Sequence, residues 1–598
     1  MQGAHDILTL PDPQSLANSP FMVGVSGHRD LDPDEVPRLR EAVTDFVCQL
    51  REHLPDTELR LIVGMAQGAD LLVAETALAL GMCVEAVLPM RLEQYAADFD
   101  PDTLRSLKQL LKHPGIRCIE LSSAETGADP QVPHTAAQRD AMYANLTDNL
   151  IRRTSLLLAL WDGQVSQLPG GTADTVLRYL GVRSDESSSA DEIEFIEAPE
   201  ESEVSPVVYW TPTTRSGPAA RTTQSRPPCF LLGAGDHVLQ THTAMPSWLK
   251  HQLAELNSYN VEYRRMSEAG RLHKAKSLMG ALPASVALPD RAALEHIDAQ
   301  YRKADALGVY YQRRSDLLFD LFAIMAFAMG LAYLIYDKLV ESRVLLVAYL
   351  LTLMASLSVY HVLQGRRWFG KHLTYRALAE TLRARFYLRL AGVDHRVDAA
   401  EVLALSGIDK FRGFGWIGFV LKGIEPPDAG PASTAARDTS EILSVEQAWI
   451  ENQFDYFTRK VGRLERGSRR VKRLRIALFV SILLVISALS TVGEILHHID
   501  MGLGVPLRNV LTFVMGLLAI LLAVWELHQN KMATRELLWQ YRNQLSHFSR
   551  ARTQLTRVTT AQRRSSVLLE LGKDSLMESY LWAIHRYHRE HEPPSAGG

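Results

Sequence analysis

Three glycine-rich stretches hold the residues best suited to chemistry. They read GVSGHRD (24–30), VGMAQGAD (63–70) and LPGGTAD (168–174), and each comes after an apolar run. Glycine lets backbone amides approach an anion closely, and a helix that follows adds free N–H groups and the positive end of its dipole. A phosphate or pyrophosphate is the natural ligand. The candidate binding residues in these turns are Gly24, Ser26, Gly27, Gly64, Gln67, Gly68, Gly170, Gly171 and Thr172.

Charged side chains in the same stretches add to this pattern. His28 and Arg29 are expected to donate charge-assisted hydrogen bonds to the anion. Asp70 stands just inside a predicted helix, where it either caps that helix or accepts a hydrogen bond from a ribose hydroxyl. One glycine turn is more often structural than functional, whereas three at corresponding strand ends favour a ligand site.

The elements that must position these turns alternate between strands and helices. Strand-like runs stand at 22–27, from 59, and at 83–89, 116–121, 155–164 and 206–212, with helical patterns between them. This alternation predicts an α/β fold with a Rossmann-like, doubly wound parallel sheet. In such sheets ligands bind beyond the carboxyl ends of the strands, where the glycine turns cluster.

Bulk composition narrows the function classes. A chain of 598 residues needs several domains, and 64 Lys and Arg against 68 Asp and Glu argue against a nucleic-acid partner. The four cysteines, at 48, 83, 118 and 229, lack the spacing of a zinc site and are expected to be reduced packing residues. No metal site or cofactor is expected. The first residues carry no signal-peptide pattern, so the N-terminal part is expected in the cytosol.

Four later runs have the length and apolarity of transmembrane helices: 317–336, 344–363, 476–496 and 510–527. A helical bundle buried in a soluble protein is the alternative. Basic flanks place both termini inside, and the runs form two similar hairpins, each followed by an amphipathic helix. Apolar residues of the first such helix (Leu378, Leu382, Phe386 and Leu390) predict either packing between helices or a stalk that joins subunits.

Hydroxyl side chains within the apolar runs are candidates for a pore lining. Ser356 lies in the second run, and Ser481, Ser487 and Ser490 lie in the third. Polar groups in lipid tend to face other helices or water, although such hydroxyls also bond carbonyls of their own helix. Because four spans enclose little lumen, a conducting path requires a homo-oligomer.

Composition shifts divide the chain into predicted domains. They are an N-terminal tail (1–19), an α/β domain (20–212) with an acidic insertion (184–204), a linker (213–245), a helical region with the first hairpin (246–424), a second linker (425–441) and a helical region with the second hairpin (442–592).

The predicted α/β domain (20–212) resembles the SLOG superfamily of Rossmann-like nucleotide-binding domains, which includes DNA-processing protein A and the lonely-guy phosphoribohydrolases. The resemblance is carried by GVSGHRDL, VGMAQGADLLVAETALALG, AVLP, LALWDGQ and LPGGTADTV, in that order. It adds Pro89, Asp162 and Gly163 to the candidate ligand residues. From about Tyr301 onward the chain resembles the SLATT type of membrane effector, partly through YRALAETLRARF.

Together these resemblances imply a sensor of a nucleotide-derived signal coupled to a membrane effector, in a bacterial inner membrane and in defence against phage. The phosphoribohydrolases carry a catalytic Glu in PGGxGTxxE, whereas this chain reads PGGTADTVLRYL with Asp174 as the only carboxylate there. Binding is therefore favoured over hydrolysis. A membrane-tethered nucleotide hydrolase and a non-catalytic scaffold are the alternatives.

Overall fold

The structure is a computed structural model. It describes residues 18–121, 135–166, 170–182, 194–197, 206–216, 226–234, 238–272, 275–283, 288, 291–364, 366–393, 413–426, 444–497 and 506–590. The chain divides into two compact units. The first comprises Met1–Ala304, Leu378–Ser444 and Thr560–Tyr580, and the second comprises Asp305–Ala377, Val445–Thr559 and Leu581–Gly598.

Strands occur only in the first unit, as far as the described residues show. They are β1 (Phe21–Gly27), β2 (Leu59–Val63), β3 (Cys83–Leu88), β4 (Ile116–Glu120), β5 (Leu156–Trp161), β6 (Glu194–Glu197), β7 (Val207–Pro212), β8 (Cys229–Gly233) and β9 (Val238–His242).

Helices occur in both units. In chain order they are α1 (Val36–His53), α2 (Ala69–Ala79), α3 (Leu92–Tyr95), α4 (Pro101–Leu110), α5 (Ala136–Arg153), α6 (Thr172–Leu180), α7 (Ser247–Glu268), α8 (Arg291–Lys338), α9 (Arg343–Gln364), α10 (Trp368–Leu390), α11 (Trp416–Gly423), α12 (Asn452–His497), α13 (Leu507–Met532), α14 (Thr534–Arg557) and α15 (Ala561–Glu590).

All nine described strands form one sheet in the order β4-β3-β2-β1-β5-β7-β8-β9-β6. The six strands from β4 to β7 are parallel, which confirms the predicted parallel, strand–helix alternation. From β1, consecutive strands are added on one side up to β4, and β5 and β7 are added on the other side. The order of the strands, not their direction, therefore reverses between β1 and β5. Open α/β sheets bind ligands at such a reversal.

The far edge of the sheet differs from the sequence-based expectation. Strand β8 pairs antiparallel with β7 and with β9, and β6 pairs with β9. Strands β8 and β9 thus lie within 213–245, which was expected to be a linker, and β6 lies within the expected acidic insertion. The apolar run Cys229–Leu232 supplies the reason, since all four of its side chains are buried.

Burial on both faces explains the continuous apolar strands of the parallel part. All six residues of β5 are buried, and so are the first five of β1. Helix α11 covers β1, with Phe419 in edge-to-face contact with Phe21 at 5.1 Å. Leu378, Leu382, Phe386 and Leu390 are fully buried within this single chain, which confirms the packing role for the face of α10 that they form.

The cysteine expectation is wrong for three of the four residues. Cys48, Cys83 and Cys118 are exposed, and only Cys229 is buried. Each exposed cysteine lies at a surface position of α1, β3 or β4, where a small side chain faces solvent beside buried neighbours.

The first residues of α8 belong to the first unit and are anchored there by a buried lysine. The Lys303 ammonium donates to Asn260 Oδ1 at 2.6 Å and lies 3.8 Å from the centre of the Tyr259 ring. Burial holds the pKa of Lys303 well below its usual range. The Ser19 hydroxyl donates to Gln300 in the same cluster, which ties α8 to the start of β1.

Among the described residues, four helices are long and apolar enough to cross a membrane, and each predicted span lies in one of them. Their most apolar windows, in α8, α9, α12 and the stretch beginning with α13, have mean hydropathies of 2.1, 1.8, 2.2 and 2.4 and are almost wholly unburied within the chain. Val344 is 74% exposed and Leu484 is 65% exposed. The apolar faces of these helices are thus not buried inside one chain, unlike those of a soluble bundle.

Within the second unit, α8 and α13 approach closely and run antiparallel. A Cβ on Gly330 would lie 3.0 Å from Ile520 Cγ2, and one on Gly516 would lie 2.6 Å from Leu334 Cδ1. His528 Nε2 lies 2.9 Å from Asp320 Oδ1 at one end of the same pair of helices. Small residues at such crossings are typical of helix packing in membranes.

The hydroxyl groups of the apolar helices are partly engaged with their own backbone. Ser490 Oγ donates to the Ile486 carbonyl at 2.9 Å. This is the hydrogen bond to a carbonyl of the same helix that the sequence analysis gave as the alternative to a pore lining. Ser487 is exposed, while Ser356 and Ser481 are partly exposed. A pore role for these four serines stays a prediction.

Candidate functional site

The reversal point of the sheet brings the ends of β1 and β5 together. His28 follows β1, and its Nε2 lies 3.0 Å from Asp162 Oδ1 and 3.1 Å from the Asp162 backbone nitrogen. With Nε2 unprotonated, His28 accepts the Asp162 amide proton, and with Nε2 protonated it donates to the Asp162 carboxylate. Burial raises the pKa of Asp162, but the hydrogen bond and charge of His28, together with the Gln164 amide and Arg215, outweigh burial and lower it.

The turn after β2 packs directly against the turn after β1. Gly68 has a φ of +84°, and a Cβ there would lie 2.4 Å from the Arg29 carbonyl oxygen and 2.6 Å from that of His28. The Ala69 amide donates to the His28 carbonyl at 3.0 Å. Gly68 therefore provides both the backbone conformation and the close approach that join the first two turns.

Two further residues shape the second turn. Met65 is buried with a φ of +58°, an uncommon conformation for a residue with a side chain, and such strain concentrates at functional sites. Gly64 directly follows β2, and its carbonyl accepts a hydrogen bond from the Tyr95 hydroxyl at 3.1 Å. Gln67 is exposed at the tip of the turn.

Asp70 is a buried carboxyl at the floor of this turn. Its side chain is not the helix cap, because Gly68 occupies the N-cap of α2, and it accepts the Ala66 amide at 3.1 Å instead. Burial raises the pKa of Asp70 to about 7, against the opposing effects of the Ala66 hydrogen bond and the Arg29 charge. Asp70 therefore titrates near neutral pH.

Arg29 connects the first turn to α5. Its guanidinium carbon lies 5.3 Å from the centre of the Tyr143 ring, while Arg29 itself stays exposed. The Tyr143 hydroxyl donates to Asp98, which also pairs with Arg139. Burial and the Asp98 hydrogen bond raise the pKa of Tyr143, so its hydroxyl stays protonated and can donate.

The third glycine turn contacts the same tyrosine. Gly170 has a φ of +72°, and a Cβ there would lie 3.1 Å from the Tyr143 backbone. Gly171 is the N-cap of α6 and has no side chain to cap the helix, and Thr172 is the first helical residue. The Asp174 carboxylate accepts the Gly170 amide at 2.8 Å and lies 3.6 Å from Arg178. Asp174 thus holds the turn in shape.

The remaining predicted residues lie in β1, after β5 and after β3. Ser26 and Gly27 end β1, and a Cβ on Gly27 would lie 2.3 Å from Ala69 Cβ, so Gly27 lets α2 pack against the strand. Gly163 follows Asp162 with a φ of +80° against Trp210. Gly24 lies inside β1, where a Cβ would collide with Thr154 at 2.1 Å, so its evident role is packing. Pro89 is buried at the end of β3.

Sequence reasoning missed the side chains that surround Arg29. Tyr143, Asp98, Arg139 and Tyr95 come from α5 and from the segment after β3, and no motif marks them. Sequence reasoning also missed an ion pair beside the first turn. Arg215, which follows β7, has its Nε 3.0 and 3.1 Å from the two carboxylate oxygens of Asp30. Arg139 and Tyr143 stand four residues apart, so the sequence places both on one face of a helix. That spacing alone does not mark either residue as functional.

Arg29 is the exposed cation that the first turn presents. Arg29 and the N-terminus of α6 can approach an anion, whereas the amides of Ala66, Ala69 and Gly170 already donate to Asp70, the His28 carbonyl and Asp174. Among the described residues, no three His, Cys, Asp or Glu side chains lie together in a way that could hold a metal ion.

Comparison with known proteins adds no family to this picture. No protein-family model matches the chain, and no curated protein matches it.

Proposed function

We propose that this protein is a membrane-bound sensor and effector. Its first unit binds a nucleotide-derived signal, and its apolar helices then form a pore or disrupt the bilayer. The proposal includes a homo-oligomer in a bacterial inner membrane with both termini in the cytosol, acting in defence against phage. It needs no nucleic-acid partner and no cofactor other than the signal.

The convergence of three glycine turns on Arg29 and Tyr143 carries the proposal. Gly68 packs on the Arg29 carbonyl, Gly170 packs on the Tyr143 backbone, and the Arg29 side chain lies over the Tyr143 ring. The first two turns thus meet at Arg29, and the third meets the tyrosine whose ring lies against the Arg29 guanidinium. The Arg29 guanidinium and the N-terminus of α6 suit the negative charges of a phosphorylated nucleoside.

Binding is favoured over hydrolysis in this proposal. Asp174 is engaged by the Gly170 amide and Arg178, so it is poorly placed to stabilise an oxocarbenium-like centre. Asp70 is buried and bonded to the Ala66 amide. A hydrolase would be indicated instead if a bound nucleotide were converted on long incubation.

The helices that carry residues of both units are the proposed route from signal to membrane. Helix α8 begins in the first unit, at the Lys303 cluster, and continues into the first apolar span. A ligand that stabilises one of two arrangements of the first unit can bias these helices by as much as its affinity differs between the two.

Mass spectrometry of small molecules extracted from the purified full chain tests the sensing claim. We expect a phosphorylated nucleoside in wild-type protein and its loss in Arg29→Ala, because that change removes the exposed cation of the site. Arg105→Ala is the matched control, since Arg105 is an exposed arginine of the same unit that pairs only locally, with Asp102. Equal recovery from all three proteins would contradict the assignment of the site.

A further inference from the structure

One strongly basic surface is not used by the sensor site. Helix α12 carries five cations directly before its apolar span at 476–496, and we call them the basic collar: Arg469, Arg470, Lys472, Arg473 and Arg475. Arg463 and Arg466 precede the collar on the same helix.

The collar is exposed and mostly lacks acidic partners. Arg469 lies 3.5 Å from Glu465 and Arg475 lies 3.6 Å from Glu526, and both pairs are partly exposed to solvent, where ion pairs contribute little. For Arg470, Lys472 and Arg473, all exposed, the described part of the chain supplies no carboxylate within ion-pair distance. Three free cations on one short stretch repel each other and favour an anionic partner.

Distance along the helix decides what that partner is. At about 1.5 Å per residue, Arg470 and Arg473 lie about 9 Å and about 5 Å before the apolar span. The headgroup layer is about 5–8 Å thick on each side of the hydrocarbon core, and a long arginine side chain extends this reach. The collar therefore lies at the depth of lipid phosphates. Arg463 and Arg466 lie about 20 Å and about 15 Å before the span, beyond that layer.

The flanks of the first hairpin carry shorter basic runs, which include Arg366, Arg367 and Lys371 after its second span at 344–363. Before its span at 317–336 stand only Arg313 and Arg314, and they are followed by Asp316 and Asp320. The Arg314 guanidinium also lies over the rings of Tyr310 and Trp368, at 4.7 and 5.0 Å. The longest run of cations thus stands before the span at 476–496.

We propose that the basic collar binds the headgroups of anionic phospholipids. The inference depends on the span at 476–496 and is independent of nucleotide sensing. Bidentate arginine–phosphate pairs give specificity for the phosphate, and clusters of four to eight cations beside a span are the usual signature of such binding. Binding would fix the depth of the second hairpin in the bilayer.

Titration of fluorescent phosphatidylglycerol into the full chain, held in uncharged detergent micelles, tests the proposal. Phosphatidylcholine with the same acyl chains is the reference lipid. We expect wild-type protein to prefer phosphatidylglycerol, and Arg470→Gln with Arg473→Gln to lower that affinity on the order of tenfold. Added salt should weaken the preference, because exposed charges are screened.

Arg463→Gln with Arg466→Gln is the matched control. The pair has the same spacing, lies on the same stripe of α12 and removes the same charge, but it stands about two turns further from the span. It should keep wild-type affinity. Equal losses in both variants, or equal binding of the two lipids by wild-type protein, would overturn the proposal. A short RNA is tested in the same way. If Arg470→Gln with Arg473→Gln lost binding to the RNA and kept phosphatidylglycerol binding, the collar would be reassigned to nucleic acid.

Discussion

At the scale of single residues, the candidate site depends on contacts between turns rather than on any one turn. Arg29 is held over Tyr143, Tyr143 donates to Asp98, and Asp98 pairs with Arg139. Each partner limits the freedom of the next, so the arginine is ordered before a ligand arrives. Such pre-organisation lowers the entropy cost of binding.

Gly68→Ala should destabilise the fold and abolish nucleotide retention. The new Cβ would lie 2.4 Å from a backbone carbonyl, which cannot move aside as a side-chain end can. Gly81→Ala is the control, because Gly81 has a similar φ of +73° and nothing within 4 Å. It should cost only the backbone strain, about 1–2 kcal/mol. Similar melting temperatures of the two variants would show that the close approach at Gly68 is not restrictive.

The buried Asp70 carboxyl should make stability depend on pH. Its pKa is raised from 3.8 to about 7 in the folded state, so the folded chain holds a proton that the unfolded chain has lost between those values. Stability from this group is therefore full below about pH 4 and falls as pH rises to about 7. Asp70→Asn keeps the acceptor for the Ala66 amide without this dependence. Its melting temperature relative to wild type should rise from pH 5 to pH 8, and a constant difference would rule out the titration.

Sequence patterns identified His28, Arg29 and the glycine turns because strand ends and glycine are local signals. They did not identify Tyr143 or Asp98, since a tyrosine on an amphipathic helix resembles any half-buried aromatic residue. The pairing of His28 with Asp162 spans 134 residues and depends on the strand order. Only the tertiary fold brings such residues together.

At the scale of elements, the parallel strands were predictable and the far edge of the sheet was not. Runs such as LLLALW (156–161) are apolar throughout and read as buried strands. Strands β8 and β9 follow a polar stretch rich in Pro, Thr and Ser, and β9 alternates weakly. Their identity as strands comes from pairing with β7, a contact that local composition does not encode.

The close approach of α8 and α13 should respond to added methyl groups. Gly330→Ala with Gly516→Ala should lower the melting temperature of the full chain, because both new Cβ atoms meet the opposite helix within 3.0 Å. Gly462→Ala with Gly467→Ala is the control, since both positions are open and alanine favours a helix by about 1 kcal/mol over glycine. The two double variants should thus shift in opposite directions. A rise in both would mean that α8 and α13 are not tightly packed.

At the scale of the whole molecule, one chain combines an α/β unit with four helices of membrane-spanning length. The apolar runs were predictable because length and composition suffice to recognise them. The division into two units was harder to predict. Residues 378–444 and 560–580 belong with the α/β unit although they are distant from it in sequence. Three helices, α8, α10 and α15, consequently contain residues of both units.

The central claim is that a nucleotide bound in the first unit controls the apolar helices, and dye release from liposomes tests it most directly. The full chain is reconstituted, and the nucleotide recovered from wild-type protein is added at saturation. We predict release from wild-type vesicles only with nucleotide, and no release from Arg29→Ala vesicles at the same protein density. Intact wild-type vesicles at saturating nucleotide, or equal release by the two proteins, would contradict the claim.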